Sequence, residues 1–247
     1  MIIAIFNQKG GVGKTTTTLN LGAALARRNR RVLLLDLDSQ ANLSASLAQR
    51  HAAVSIFDVL LDAGNTSLSS VITRSAEIEN LALVPGARAL AGLESALRDE
   101  VGREYLLREA LEAVSGDFDD VLIDNGPTLG LAPAMALCAS DLAVIPLQCE
   151  RLALEGLGQT LKTVEATRRR INPRLTARVL LTMVDGRLAD GKQIATELRT
   201  RLGEQVCRTE IRTSSKLKLP GSVFEHAANS EAARDYRDLA EEVLTVG

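Results

Sequence analysis

Asn7-Gln8-Lys9-Gly10-Gly11-Val12-Gly13-Lys14-Thr15 stands between an apolar run, Ile2-Ile3-Ala4-Ile5-Phe6, and a segment of helical character from Thr16 to about Arg28. A buried strand, a glycine-rich turn and a helix N-terminus, in that order, form a phosphate cradle. The glycines let backbone N–H groups converge on oxygens with no Cβ in the way, and the helix dipole adds partial positive charge. Lys14 supplies a full positive charge at the β/γ-phosphates, and the Thr15 hydroxyl is a hard oxygen ligand of the kind Mg²⁺ takes.

The ordinary P-loop pattern G-x-x-x-x-G-K-[ST] asks for glycine at position 8, where Gln8 stands, and a second lysine, Lys9, follows it. This variant, K-G-G-x-G-K-[ST], resembles the deviant Walker A loop of the ParA/MinD family of ATPases. The resemblance implies ATP and Mg²⁺ as ligands and nucleotide contacts from Lys9, Gly10, Gly11, Val12, Gly13, Lys14, Thr15 and Thr16. It also implies that Lys9 reaches across a dimer interface to the partner's nucleotide.

The rest of the chain reads as support for that loop. Its 247 residues suffice for one α/β domain, 1–247, with a substantial core. Hydrophobic residues make up 46% and aromatic residues 2%, without Trp, so the core is built from Leu, Val, Ile and Ala. Apolar runs of strand length at 2–6, 32–37, 81–84, 121–123, 142–147 and 179–184 alternate with segments of helical period such as 152–171. That alternation predicts a mainly parallel twisted sheet with helices on both faces. No run of 18 uncharged apolar residues occurs and the chain opens on a strand, so a cytoplasmic protein is expected. Cys138, Cys149 and Cys207 are odd in number and widely spaced, which reads as reduced and buried.

Two further strands end in carboxylates. In an open parallel sheet, residues just past the strands' carboxyl ends line the ligand crevice. Strand alternation points Asp36 and Asp38 of Asp36-Leu37-Asp38-Ser39-Gln40 to the same side. Helix capping by Asp38, Ser39 or Asn42 is the plainer alternative. The stretch resembles the ParA-type D-x-D-P-Q segment, with Ser39 for the proline, which implies that Asp38 positions the attacking water near the metal. Val121-Leu122-Ile123-Asp124 has the Walker B form, an apolar run closed by a carboxylate that holds Mg²⁺ through a water. The family's usual D-x-P-P becomes Asp124-Asn125-Gly126-Pro127, and Gly126 predicts a more mobile loop there. The Gln148-Cys149-Glu150 and Ala153-Leu154-Glu155-Gly156-Leu157 pieces are similar to the family's dimer-facing strand and helix.

Charge is segregated. Residues 151–218 hold 15 Lys/Arg against 7 Asp/Glu, although the whole chain carries −2. Thr182-Met183-Val184-Asp185-Gly186-Arg187 resembles the family's strand-loop that passes the adenine ring, implying Met183 and Asp185 at the nucleotide, and then presents an arginine, Arg187, to DNA. Lys216 occupies the position of the second DNA-contacting basic residue, with Lys218 beside it. Without stacking aromatics or a recognition helix, such a surface grips phosphates rather than reading bases. The final helix, about Ser230 to Leu244, has an apolar stripe at Ala233, Tyr236, Ala240 and Val243-Leu244 and five acidic residues, so it reads as a docking helix rather than a membrane anchor.

Taken with the resemblance, these features imply an ATPase that closes as a homodimer around two nucleotides and then binds double-stranded DNA without sequence preference. A ParB-like or cargo adaptor partner would stimulate hydrolysis, and the cycle would position a cargo over the nucleoid. A MinD-like membrane-associated regulator is the main alternative, but lacks the basic amphipathic C-terminus it needs. A non-DNA-binding regulatory ATPase of the same fold is another. An iron–sulfur reductase would need a cysteine upstream of the Walker B strand, and none precedes Cys138.

Overall fold

The computed structural model describes residues 1–47, 53–62, 65–185 and 189–245. Among them, eight strands form one sheet: β1 Ile2–Ile5, β2 Val32–Asp36, β3 Thr73–Arg74, β4 Leu81–Val84, β5 Asp120–Asp124, β6 Leu142–Gln148, β7 Thr176–Val184 and β8 Val206–Arg212. The helices are α1 Lys14–Ala26, α2 Asn42–Ser46, α3 Ile56–Leu61, α4 Leu68–Val71, α5 Leu93–Ala96, α6 Leu106–Glu112, α7 Leu131–Ala139, α8 Arg151–Arg170, α9 Ala189–Leu202, α10 Val223–His226 and α11 Glu231–Leu244.

The strand order is β3-β4-β2-β5-β1-β6-β7-β8, parallel except for β3 on β4. The doubly covered parallel sheet expected from the alternating runs is what forms. Side chains alternate across it: Ala4, Phe6, Leu33, Leu35 and Ile123 pack with α7 and α8 on one face. Ile3, Ile5, Leu34 and Leu122 pack with α1 and α11 on the other. Fully buried strands such as Val-Leu-Leu-Leu-Asp follow from being covered on both sides. The chain leaves β1 towards β2 on one side and later returns to place β6 on the other. Strand order therefore reverses beside β1, where ligand crevices form at the carboxyl ends.

Two strands escape the sequence reading. β3 is two residues long. β8, Val-Cys-Arg-Thr-Glu-Ile-Arg, mixes charge with apolar residues because it is the last strand of the sheet and its outer side is half-exposed. The α11 stripe docks as expected, with Ala233, Tyr236, Ala240 and Val243 buried and α11 packed on α1 and β8. Cys138 and Cys207 are buried and free, whereas Cys149 is only half-buried, its thiol donating to Gly191 O.

The chain turn after α8 shows how buried polar groups are matched. Asn172 Nδ2 donates to Leu137 O (3.0 Å) and Ser140 O (2.6 Å), satisfying carbonyls at the end of α7 that have no helical donor. Asn172→Ala should leave these acceptors dry and lower the unfolding free energy by about 1–3 kcal/mol. An unchanged urea midpoint would show that water replaces the amide.

Candidate nucleotide-binding site

The loop between β1 and α1 is held from several sides. Asn7, buried, donates from Nδ2 to Pro146 O (2.7 Å) and accepts from Lys9 N (3.0 Å) and Thr160 Oγ1 (3.3 Å). Thr182 Oγ1 at the end of β7 donates to Val12 O (2.9 Å). Gly11 and Gly13 have φ of 75° and 87°, a left-handed backbone that only glycine adopts without strain. Gly13 is also the N-cap of α1, which has neither a capping side chain nor an acid in its first turn. The free N–H groups of α1 are thus left for an external anion.

Lys14 is 7% exposed and donates from Nζ to Lys9 O at 3.0 Å. Burial lowers its ammonium pKa, while Asp124 and Asp38 nearby pull it back up. Thr15 Oγ1 donates to Asp124 Oδ2 (2.7 Å) and Thr18 Oγ1 to Asp124 Oδ1 (3.2 Å). Asp124 is fully buried, and desolvation, then the like charge of Asp36, push its carboxyl up to about 8 against the pull of the Thr15 hydroxyl.

Asp36 is directly opposite Asp124 in the β2–β5 register. Its carboxylate accepts from Ser44 Oγ (2.6 Å), Ser44 N (2.8 Å) and Asp38 N (3.1 Å), and Ser44 Oγ accepts from Gly86 N (2.9 Å). Burial raises its pKa. β2 ends at Asp36, so Asp38 lies in the turn beyond rather than on the strand. It caps no helix: Ala41 is the N-cap of α2, and Asp38 Oδ1 accepts from Gln40 N at 2.9 Å.

The predicted P-loop and carboxylate residues therefore converge on one crevice. Met183 reaches it too, with φ of 53° and its Cε 3.9 Å from where a Cβ on Gly13 would stand. Asp185 follows at the end of β7, half-buried. Lys9 is half-buried in the loop, its N donating to Asn7 Oδ1 and its O accepting from Lys14 Nζ. Lys216 and Lys218 are exposed in the 3-10 turn Ser215–Lys218, which Ser214 caps and His226 braces through Lys216 O at 3.0 Å. Arg187 lies outside the described residues. Sequence reasoning missed Asn7 and Thr182, which bond main-chain carbonyls, and Ser44, which bonds the Asp36 carboxylate; none carries a charge to flag it.

A nucleoside triphosphate with Mg²⁺ fits this donor set. The uncapped N-terminus of α1 and Lys14 suit phosphate oxygens; Thr15, Asp124 and Asp38 offer hard oxygens to a divalent cation. Asn125, between the Walker B aspartate and Gly126, is buried with its Nδ2 donating to Ile5 O and Ile123 O, and its Oδ1 has no hydrogen-bond partner among the described residues.

Comparisons with known proteins agree. A family model described as AAA domain matches residues 1–177. The chain is similar to the sporulation initiation inhibitor protein Soj of Bacillus subtilis, 42% identical over 253 aligned positions covering 100% of this chain and 99% of Soj. It is similar to the chromosome partitioning protein ParA of Caulobacter vibrioides, 38% identical, covering 99% of this chain and 94% of ParA. The crystal structure of cobyrinic acid a,c-diamide synthase from Mycobacterium smegmatis, with bound ATP analogue and magnesium, superposes with a TM-score of 0.87 at 36% identity, covering 98% of this chain and 93% of that one.

Thr182→Val removes the tether on Val12 while keeping the side-chain volume. A lost hydrogen bond of about 1 kcal/mol should weaken nucleotide affinity about fivefold. Titration with a fluorescent ADP analogue checks this; equal affinity would mean the loop holds its shape unaided.

Proposed function

The chain belongs to the Soj/ParA family of partitioning ATPases, and from that premise we propose that residues 1–247 form one ATP-switched, DNA-gripping domain that positions a cargo. It hydrolyses ATP with Mg²⁺. Lys14 and the backbone of residues 9–16 bind the phosphates, and Met183 and Asp185 lie beside the base. Thr15, Asp124 and Asp38 would hold Mg²⁺, which when bound offsets negative charge on the phosphate oxygens. Asp38 orients the attacking water in line with the γ-phosphorus. Lys9 of each chain reaches the nucleotide of a second copy, adding positive charge as the transition state forms.

The observation that supports this most strongly is the Thr15–Asp124 pair beside an uncapped α1 N-terminus, with a second carboxylate, Asp38, near both and no basic side chain among the described residues bonded to it. Lys216 and Lys218, together with Arg187 as the sequence assigns it, grip DNA by gathering phosphates without reading sequence. A ParB-like or cargo adaptor protein speeds hydrolysis, and the ATP-bound form resides on the nucleoid. The apolar stripe of α11 is spent on α1 and β8, and no helix among the described residues is long and apolar enough to cross a membrane.

DNA retention measured with ATP, ADP and no nucleotide across a salt series tests the reading. Binding should require ATP and fall steeply with salt, and Lys216→Ala should reduce the log–log slope by about 1. Retention that ignores the nucleotide would sink the switch. Asp38→Ala should still bind ATP but turn over about 100-fold or more slowly, the usual scale for a lost general base. Brisk turnover in that variant would move the water-orienting role elsewhere.

A further inference from the structure

Two residues of the nucleotide loop depart from the ordinary phosphate-loop pattern, and they are neighbours: Gln8, where that pattern has glycine, and Lys9, the additional lysine. Gln8 is half-buried and its amide reaches the middle of α8. Its Nε2 donates to Thr163 Oγ1 at 2.9 Å, while the Thr163 hydroxyl gives its own hydrogen to Gln159 O at 3.2 Å. The threonine oxygen is thus left to accept, and the pair has one consistent direction. Glycine at position 8 could make no such bond.

The tether lies on the side of Lys9 that can be held firm. Downstream come Gly10 and Gly11, which add no stiffness. Upstream, Asn7 Oδ1 accepts from Thr160 Oγ1 (3.3 Å), three residues before Thr163 on the same face of α8. Both residues ahead of Lys9 are therefore bonded to one helix. Lys9 itself is held by its main chain: N donates to Asn7 Oδ1 (3.0 Å) and O accepts from Lys14 Nζ (3.0 Å). Phosphates would compete for Lys14 Nζ, whereas the α8 contacts of Asn7 and Gln8 use no group that a phosphate would draw away. No hydrogen bond or ion pair among the described residues engages the Lys9 ammonium group.

We propose that Gln8 and Thr163 are positioning residues for Lys9: their bond anchors the upstream side of the loop to α8, so that Lys9 is presented to the nucleotide of a second copy. The two departures from the ordinary pattern are then one device, an anchor and the charge it holds in place. This rests on the reading of Lys9 given above. Misplacing a group that acts only on the reacting phosphates lowers turnover and spares ground-state binding.

Mixed dimers test it, because they separate the copy that lends Lys9 from the copy whose ATP reacts. An Asp38→Ala chain mixed with a Lys9→Ala chain leaves one competent site, built from the lysine of the first and the aspartate of the second. Single-turnover hydrolysis of radiolabelled ATP should reappear on mixing. Thr163→Val in the Asp38→Ala chain, the lender, should slow the restored reaction about three- to tenfold, the scale of one lost hydrogen bond, and Thr163→Ser there should not. Affinity of the Thr163→Val chain for a fluorescent ADP analogue should stay at the wild-type value. A restored rate untouched by Thr163→Val in the lender would overturn the proposal, as would an equal loss with serine, which would place the effect in packing. A greater loss with the substitution in the Lys9→Ala chain, or weakened ADP-analogue binding, would also overturn it, making the tether a support of the loop's own nucleotide. If the two parent chains restore no hydrolysis on mixing, the Lys9 reading fails instead, and that failure shows before Thr163 is touched.

Discussion

A buried carboxylate, Asp124, takes hydrogen bonds from Thr15 and Thr18, one turn apart on α1, and this joins the phosphate-loop helix to the sheet. Because β5 lies between β2 and β1, the same aspartate also faces Asp36 across the ladder. Two acids side by side in a desolvated place are costly unless something compensates them. Here hydroxyls and backbone N–H groups from α1, α2 and the turn after β2 do so in part. The remaining imbalance makes the strand ends receptive to a divalent cation. The site's geometry is thus a way of storing negative charge next to a helix terminus that attracts it.

Every neighbouring element is arranged around that pairing. Asn7 and Thr182 pin the loop backbone from β6 and β7. Asn20, one turn further along α1, bonds back to Thr16 O and accepts from Ser222 Oγ and Val223 N, tying α1 to the segment that follows Lys216 and Lys218. Tyr236 of α11 comes within 3.5 Å of Thr17. The nucleotide crevice and the basic turn therefore share one rigid helix, which gives the proposed coupling of ATP to DNA a short physical route.

Much of this was legible in the sequence because the relevant signals are local. Glycine spacing, Lys14-Thr15 and aspartates closing apolar runs all speak of strand ends, and the sheet places strand ends together whatever lies between. Charge was less informative. Arg212 counts towards the basic segment, yet it is paired with Asp235 at 2.5 Å and Glu231 at 2.9 Å; Arg168 and Arg169 both pair with Glu165. Surface arginines are consumed by partners that only the fold supplies. β8 was illegible for the opposite reason, since its last-strand position relaxes the apolar run that marks a buried strand. The supports of the loop were silent because a threonine or asparagine bonded to a main-chain atom looks like any other.

The two ends of the sheet differ from its middle in one respect. At β8, Glu242 accepts from Arg208 N and Thr209 N, and Asp235 from Arg212 N, so acids of α11 occupy donors a foreign strand would want. At the opposite end β3 offers only two residues, antiparallel to its neighbour. Ribbon-wise growth, one molecule lengthening another's pleated layer, is blunted at both margins. Copies that associate therefore meet through helix faces or loops rather than by extending one another's sheet.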